Sequence, residues 1–195
     1  MGLSRCRLTQ NQQKRLIEYF VMEVTARSAA NVLEIHPNSA ALFYRKLREL
    51  ITEKIADDTP FDGEIELDES YFGGMRKGKR GRGAAGKIPV FGLLKRGGKV
   101  YTAVVLDTKG TTLKAIICRK IRPDSIVYTD SYRSYNVLDV SEFKHYRINR
   151  ELFADKTNHI NGIENFWNQA KRVMRKYNGI PKKLQPVLER MRVQV

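Results

Sequence analysis

The sequence is poor in cysteine and contains no long apolar run. Cys6 and Cys118 are too few and too far apart for a disulfide scaffold or a zinc ribbon, so we expect two plain thiols in a reducing compartment. No apolar stretch approaches the roughly 18–20 residues that a bilayer-spanning helix needs. The first residues, Met1–Arg7, also lack the apolar core of a signal peptide. These absences argue against a membrane protein or a small secreted domain, and they favour a cytoplasmic protein.

Acidic residues are also scarce relative to basic ones. The 195 residues include 36 Lys and Arg but only 21 Asp and Glu, so the net charge is +15. Such an excess repels itself and does not help folding, which indicates a polyanionic partner, most often nucleic acid. A hydrophobic content of 42% is nevertheless typical of a globular protein with one sizeable core and a small additional module.

Residues 1–56 predict a small all-helical module. Apolar residues recur at helical spacing in three segments, which begin at Thr9, Ala26 and Asn38, and Pro37 lies in the first turn of the third. Two short helices with small residues at their crossing, followed by a basic helix, are typical of a helix-turn-helix that binds DNA. An ordinary three-helix bundle is the alternative, and Glu34 stands near the turn, where glycine is common.

The third predicted helix carries the expected DNA contacts of this module. Its apolar face is predicted to include Ala41 and Leu42, while Arg45 and Arg48 are predicted to be exposed and to bind DNA. Tyr44 is a third side chain that this face would offer to DNA.

The apolar period changes from helical to alternating after a polar linker, residues 57–62, that contains Pro60. The first three strands can pair antiparallel through short turns, whereas the fourth must cross over through a helix and lie parallel to the first. This order predicts an α/β domain of the ribonuclease-H-like fold over residues 63–181, a mixed sheet flanked by helices. The predicted elements are strands Glu64–Tyr71, Ile88–Leu94 and Val100–Asp107, helix Leu113–Ile121, strands Ser125–Asp130 and Phe143–Ile148, and helix Asn158–Tyr177.

A basic, glycine-rich segment, Gly73–Lys87, follows the first strand and contains no acidic residue. It predicts a loop that follows DNA phosphates, with a solvated hairpin tip as the alternative. The side chains expected to bind DNA there are Arg76, Lys77, Lys79, Arg80 and Arg82.

The first strand alternates apolar residues with carboxylates rather than with neutral polar residues. Carboxylates packed this closely repel one another unless a cation lies among them, which favours a divalent metal ion over the alternative of a solvated strand edge. Asp68 is the preferred ligand, because Glu69 points to the opposite face of the strand and Glu66 lies one pleat earlier.

Two further acids complete a candidate metal site. Asp130 ends the crossover strand, which neighbours the first strand in this fold, and Glu164 lies on the last helix. Three carboxylates around two divalent ions suit Mg²⁺, or alternatively Mn²⁺, and a displacement at phosphorus by water or a 3′-hydroxyl. Lys171 shares the helix face of Glu164 and would hold a phosphate, with Arg172 beside it, although an ordinary surface lysine is the alternative.

Three blocks of residues carry a family resemblance. They read LDESYFGG at 67–74, YTDSYRSY at 128–135 and HINGIENFW at 159–167. In this order and spacing they resemble the signature blocks of small bacterial insertion-sequence transposases of the ISXO type, which belong to the DDE class. The resemblance implies that Asp68, Asp130 and Glu164 bind the catalytic metal ions and that Lys171 is the fourth signature residue.

The same resemblance implies an activity and partners. Such a transposase cuts or copies its element at the terminal inverted repeats and joins the 3′-hydroxyl ends to target DNA. The expected partner is therefore double-stranded DNA, on which we expect a homodimer or a larger assembly, associated with the bacterial nucleoid. No membrane is involved.

Two features depart from this family. The chain has no cysteines for the zinc ribbon that some relatives carry at the N-terminus, and residues 182–195 contain Pro186 instead of an aromatic-rich helix. The second departure predicts an atypical tail that arose from a frameshift. It leaves open the alternative of a non-catalytic DNA-binding remnant that occupies the element ends and represses transposition. A nuclease that acts on RNA–DNA hybrids is a third hypothesis for the same fold.

Overall fold

The computed structural model describes residues 7–55, 60–73, 87–139, 142–148 and 159–175. The chain divides into two compact units, Met1–Asp57 and Asp58–Val195. Among the described residues, no helix combines the length and apolar character that crossing a membrane requires. The predicted DNA contacts Arg76, Lys77, Lys79, Arg80 and Arg82, and the predicted tail 182–195, lie outside the described residues.

The first unit contains three helices, and each of the first two begins at a threonine. Thr9 accepts a hydrogen bond from the backbone N–H of Gln12, whose side chain in turn accepts one from the backbone of Thr9, and Thr25 accepts one from Ser28. Small alanines let the helices approach closely around a shared core, with Leu16, Ala29, Ala30, Ala40, Phe43 and Tyr44 buried. The helices are α1 (Gln10–Val21), α2 (Ala26–Val32) and α3 (Pro37–Ile55).

The buried face of α3 differs from the predicted one. Leu42 is 53% exposed and Ala41 is also exposed, whereas Ala40, Phe43 and Tyr44 are buried. The prediction failed because two consecutive aromatic residues bury more apolar area than Ala41 and Leu42, and so the helix turns them inward. Tyr44 is 1% exposed, which removes it as a side chain that could contact DNA.

Glu34 lies in the turn between α2 and α3. Its φ angle is 51°, in the left-handed region that favours glycine, and α2 ends at Val32. The helix ends there because the chain reverses at Glu34.

The second unit is built on a five-stranded mixed sheet with the strand order β3-β2-β1-β4-β5. The pairs β1–β2 and β2–β3 are antiparallel, and β1–β4 and β4–β5 are parallel. This is the order that the connection lengths predicted, and it confirms the ribonuclease-H-like mixed sheet. The elements are β1 (Glu64–Phe72), β2 (Ile88–Lys95), β3 (Val100–Val104), α4 (Gly110–Lys120), β4 (Ile126–Asp130), a 3₁₀ helix (Arg133–Leu138), β5 (Lys144–Ile148) and α5 (Asn161–Met174).

Helices cover both faces of this sheet. Ile65 and Leu67 of β1 pack in the core that contains α4 and the 3₁₀ helix, and Phe72 packs in the core that contains α5. The acidic strand β1 is therefore the central strand, hydrogen-bonded on both sides, and the alternative of a solvated strand edge is wrong. Successive residues of β1 point to opposite faces of the sheet, and helices cover both of these faces.

Candidate active site

Asp68 and Asp130 lie level with each other on adjacent parallel strands. The pairing of β1 with β4 includes Glu66 opposite Tyr128, and Asp68 and Asp130 each follow two residues later. Because side chains alternate along a strand, both acids point to the face of Tyr128, which packs in the core under α5. Asp130 is also the last residue of β4 and accepts a hydrogen bond from the backbone N–H of Tyr132 at 3.0 Å.

Helix α5 brings the third acid and a lysine to the same place. Its apolar stripe of Ile163, Phe166 and Ala170 is buried against the sheet. Since residues three and four positions apart share a helix face, this packing places Glu164 and Lys171 together beside the sheet. A cleft of about 590 Å³ is lined by Asp68, Asp130, Glu164 and Lys171, and also by Lys87, Glu69, Ser70, Tyr71, Trp167 and Asn168. The structure thus brings all four predicted tetrad residues to one cleft.

The surroundings of Asp68 in the cleft disfavour the charged form of its carboxyl group. Burial is the largest effect that raises the pKa of this carboxyl group, and the nearby Glu69, Asp130 and Glu164 add to it. Together they bring the pKa of Asp68 from 3.8 to about 7. A cation placed among these carboxylates would offset the repulsion that adds to the effect of burial on the pKa of Asp68.

The two other acids that compete with Asp68 have partners of their own in the core. Glu69 is 7% exposed and accepts a hydrogen bond from the phenol of Tyr135 at 2.9 Å. Tyr135 is itself fully buried, and burial together with the charge of Glu69 holds the pKa of its phenol well above the ordinary value. Glu66 is 1% exposed and accepts from the backbone N–H of Ile163 at 2.9 Å. Both carboxylates are therefore held by hydrogen bonds to other parts of the fold.

A tryptophan forms the wall beside Asp68. Asp68 is paired in the sheet with Gly92, and a Cβ atom on Gly92 would lie 2.5 Å from Cζ2 of Trp167. The absent side chain therefore lets the indole lie directly on the strand, where it contributes to the burial of Asp68. Trp167 belongs to the core, as expected, and borders the cleft as well.

The three carboxylates of the cleft are not close enough together to coordinate one metal ion as they stand. In the ranges that the structure describes, no three acidic, histidine or cysteine side chains are grouped closely enough to hold a metal ion as they stand. The charges of Asp130 and Glu164 nevertheless reach Asp68 across the cleft, and carboxylate oxygens are the ligands that Mg²⁺ and Mn²⁺ prefer. The donor set fits such an ion in its chemistry, and side-chain rotation would be needed to bring the oxygens together.

The predicted DNA-binding arginines occupy different environments. Arg45 is exposed on α3 and pairs with Glu49 at 2.9 Å. The guanidinium of Arg48 lies over the rings of Phe20 and Tyr44, with 5.2 and 5.9 Å to their centroids. Arg172 is exposed on α5. Arg45 and Arg172 are thus available to a polyanion, while Arg48 also covers the core of the first unit.

Two residues near the site were missed or undervalued from the sequence. Lys87 was predicted only as the end of the basic loop, but it lines the acidic cleft. Arg96 has no predicted role at the site, but it donates hydrogen bonds to Glu66 and to the carbonyl of His159. These partners lie 30 and 63 positions away in the chain, so that no local pattern contains the signal.

Comparison with known proteins gives a family match and several relatives. Residues 60–186 match the family described as the ISXO2-like transposase domain. An uncharacterized transposase-like protein of Haemophilus influenzae is 62% identical over 85 residues, which are 43% of this chain and 69% of that protein. An uncharacterized protein in transposable element ISH50 of Halobacterium salinarum is 26% identical over 165 residues, which are 74% of this chain and 56% of that protein.

A solved structure also overlaps with the chain. A chain of the simian T-cell lymphotropic virus intasome in complex with PP2A regulatory subunit B56 gamma aligns over 89% of this chain and 66% of its own length. The TM-score is 0.42 and the identity is 10%, too low for an inference about activity.

Proposed function

The chain belongs to the ISXO2-like transposase domain family, and from this premise we propose that it cuts DNA at the ends of its element and transfers the freed strands to target DNA. The single observation that carries the proposal is the convergence of Asp68, Asp130 and Glu164 in one cleft together with Lys171. Acids from two strands and a helix, far apart in the sequence, share a space that carries the charge pattern needed for phosphoryl transfer.

Asp68, Asp130 and Glu164 are the residues that would hold divalent ions. Once bound, Mg²⁺ or Mn²⁺ would act as a Lewis acid that lowers the pKa of the attacking hydroxyl and stabilises the leaving oxygen. Because the pKa of Asp68 is raised to about 7, part of the protein carries a proton on this carboxyl group near neutral pH and would lose it on binding an ion. Asp130 ends β4, and Glu164 lies on α5, whose apolar residues are buried; these positions support both as the other two ligands.

Basic side chains at the cleft and beyond it bind the DNA. Lys87 and Lys171 line the cleft, where their ammonium groups can pair with phosphates next to the cleaved bond. Arg172 lies on α5 beside Lys171, and Arg45 on α3 provides a contact in the first unit. The first unit therefore acts as the helix-turn-helix that locates the inverted repeats, and two or more copies assemble on paired ends.

The proposal is tested with labelled duplexes that carry the inverted repeats flanking the gene. Cleavage and strand transfer are measured with Mg²⁺, with Mn²⁺ and with EDTA. Asp68→Asn, Asp130→Asn and Glu164→Gln are each expected to slow cleavage by about 100-fold or more, with DNA affinity retained, because each removes a carboxylate that would hold a divalent ion at the reacting phosphate.

Asp107→Asn is the matched control, because it removes a carboxylate that binds Thr112 and the backbone of Lys109 outside the cleft. Parent-like cleavage by Asp68→Asn would show that the site is misassigned. Tight binding of repeat ends without any cleavage, unchanged in Asp130→Asn, would instead identify the non-catalytic repressor. Faster cleavage of RNA–DNA hybrids than of repeat ends would identify a nuclease.

A further inference from the structure

Helix α5 lacks a cap of its own at the end that lies next to the candidate site. Its N-cap residue is Ile160, whose side chain cannot accept a hydrogen bond, and Ile160 is buried in the core. The first backbone N–H groups of a helix need acceptors, and in most helices a Ser, Thr, Asp or Asn at the N-cap supplies one to the third residue.

Glu66 of β1 supplies that acceptor from across the fold. One carboxylate oxygen, Oε2, accepts from the backbone N–H of Ile163 at 2.9 Å, and Ile163 is the third residue of α5. The bond joins residues 97 positions apart, and Glu66 is only 1% exposed. A carboxylate buried this deeply and bonded to a helix N-terminus ties the helix to the strand more firmly than a neutral acceptor would.

Arg96 holds the second oxygen of the same carboxylate. Its Nε donates to Oε1 of Glu66 at 3.0 Å, and its terminal nitrogens donate to Glu64 at 2.7 Å and to the carbonyl of His159 at 2.6 Å. The guanidinium also lies 3.9 Å from the centroid of the Tyr128 ring on the neighbouring strand. Arg96 therefore links β1, β4 and the segment that precedes α5, and it fixes the direction of the Glu66 carboxylate.

His159 is a more distant partner of the same carboxylate. Its Nδ1 lies 3.6 Å from Glu66 and also 3.4 Å from the backbone nitrogen of Asn161. The two firm partners of Glu66 are thus Ile163 and Arg96.

A glycine in the first turn of α5 allows the helix to approach the sheet closely. A Cβ atom on Gly162 would lie 2.8 Å from Oε2 of Glu66 and 2.5 Å from Cδ2 of Leu94. Only a residue without a side chain leaves room for the carboxylate and the sheet at this position.

The hydrogen bond from the N-terminus of α5 to Glu66, here called the anchor, lies next to two of the proposed metal ligands. Along β1, Glu66 and Asp68 point to the same face, because they are two residues apart. Along α5, Glu164 directly follows Ile163, whose N–H is bonded to Glu66. We infer that Glu66 is a positioning residue, which locks the register of α5 against β1 so that Glu164 faces Asp68 across the cleft. The effect of Glu66 on catalysis rests on the proposed function, whereas its contact with α5 does not depend on that function.

The anchor is tested in the full-length protein without DNA and without metal ions. Glu66→Met keeps the volume but removes both acceptor oxygens, and Glu66→Gln keeps one acceptor for Ile163. Glu64→Gln is the matched control, because it removes the same charge and a partner of Arg96 from the same strand but has no bond to α5. The amides of Ile163 and Glu164 are expected to exchange hydrogen about tenfold faster or more in Glu66→Met.

The same measurement separates anchoring from general stability. Exchange at Leu67 and Leu93, on the central strands, is expected to stay at the parent rate in all three variants. Glu66→Gln is expected to lie between the parent and Glu66→Met, and Glu64→Gln is expected to match the parent. Unchanged exchange at Ile163 in Glu66→Met, or equal acceleration across the sheet, would overturn the anchor.

Cleavage of repeat-end duplexes with Mg²⁺ then tests the consequence for the site. Glu66→Met is expected to slow single-turnover cleavage about tenfold or more with an unchanged dissociation constant for DNA, because misplacing a catalytic group affects the chemical step rather than binding. Full cleavage by a variant whose α5 amides exchange rapidly would overturn the positioning role. If the parent protein itself fails to cleave, the proposed function fails, and the amide exchange still decides whether Glu66 anchors α5.

Discussion

The negative charge of Asp68 destabilises the folded protein. Replacing Asp68 with asparagine, which has the same shape but no charge, should therefore stabilise it. Burial raises the pKa of its carboxyl group, and Glu69, Asp130 and Glu164 raise it further, to about 7 from 3.8. Because the pKa is higher in the folded protein than in the unfolded chain, the folded protein holds the proton more tightly. The stability from this proton is fully present below about pH 4 and is lost as the pH rises through 7.

The size of the effect follows from the shift. One pKa unit corresponds to about 1.4 kcal/mol, so a rise from 3.8 to about 7 costs the metal-free protein up to about 4 kcal/mol at pH 8. This is an upper bound, since water reaches the cleft and the side chains relax when Asp68 is charged. We therefore expect Asp68→Asn to be more stable than the parent by about 1–4 kcal/mol at pH 8.

The assay is thermal unfolding in EDTA, followed by tryptophan fluorescence. Trp167 is the single tryptophan of the chain and packs beside Asp68, so its signal reports the unit that contains the cleft. Each kcal/mol is expected to raise the midpoint by about 2–4 °C in a protein of this size. The advantage of Asp68→Asn should shrink as the pH is lowered from 8 to 5, since Asp68 becomes protonated in the folded parent.

Asp107→Asn controls for the loss of a negative charge from a protein whose net charge is +15. The pKa of Asp107 is lowered, chiefly by its hydrogen bond from Thr112, so its charge favours folding and its amide should not stabilise. A midpoint of Asp68→Asn at or below that of the parent at pH 8 would refute the reasoning. A gain of equal size at pH 5 would also refute it.

Three further predictions concern the wall of the cleft, the buried phenol and the first unit. Gly92→Ala should destabilise the protein by about 1–3 kcal/mol in thermal unfolding, because the added methyl group overlaps the Trp167 ring at 2.5 Å. Tyr135→Phe should cost about 1–3 kcal/mol in urea unfolding at pH 7, because it leaves the buried carboxylate of Glu69 without the phenol donor. Arg45→Ala should weaken DNA binding and reduce the slope of log K against log salt by about 0.9, as expected for the loss of one phosphate contact.

Each of these predictions has a matched control. Gly98→Ala places its methyl group 3.4 Å from the flexible side chain of Lys95, so it should be tolerated, and equal costs for both glycine variants would contradict the overlap with Trp167. Tyr146→Phe alters a phenol whose residue is 49% exposed and should be near neutral; a loss as large as that of Tyr135→Phe would remove the special role of the buried bond. Glu49→Gln releases Arg45 from its ion pair and should strengthen DNA binding, and weaker binding would count against a phosphate contact.

Local patterns predicted most of the framework of this protein. The alternation in β1 and the apolar stripe of α5 identify a strand and a helix because each period of side chains is a property of the backbone geometry. The short turn between β2 and β3 and the helical crossover before β4 leave few possible sheet orders, and the one predicted was found. The position of Asp130 at the end of its strand follows from the same information.

The face of α3 shows where local patterns are insufficient. Ala41 and Leu42 are apolar and were expected inside, yet Phe43 and Tyr44 are buried in their place. A helix with apolar residues around much of its circumference can turn more than one face inward. The choice depends on the space that α1 and α2 leave, and no periodicity in α3 contains that space.

The sequence by itself determined the type and order of the elements and the presence of acids at the ends of neighbouring ones, because periodicity and connection length are local properties. Only the tertiary structure decided what each acid of β1 does. Glu66, Asp68 and Glu69 lie within four residues, but Glu66 bonds a backbone N–H 97 positions away and Glu69 a phenol 66 positions away. Asp68 is left facing two distant carboxylates across a cleft, and its pKa is raised chiefly by burial, then by its chain neighbour Glu69 and by the distant Asp130 and Glu164.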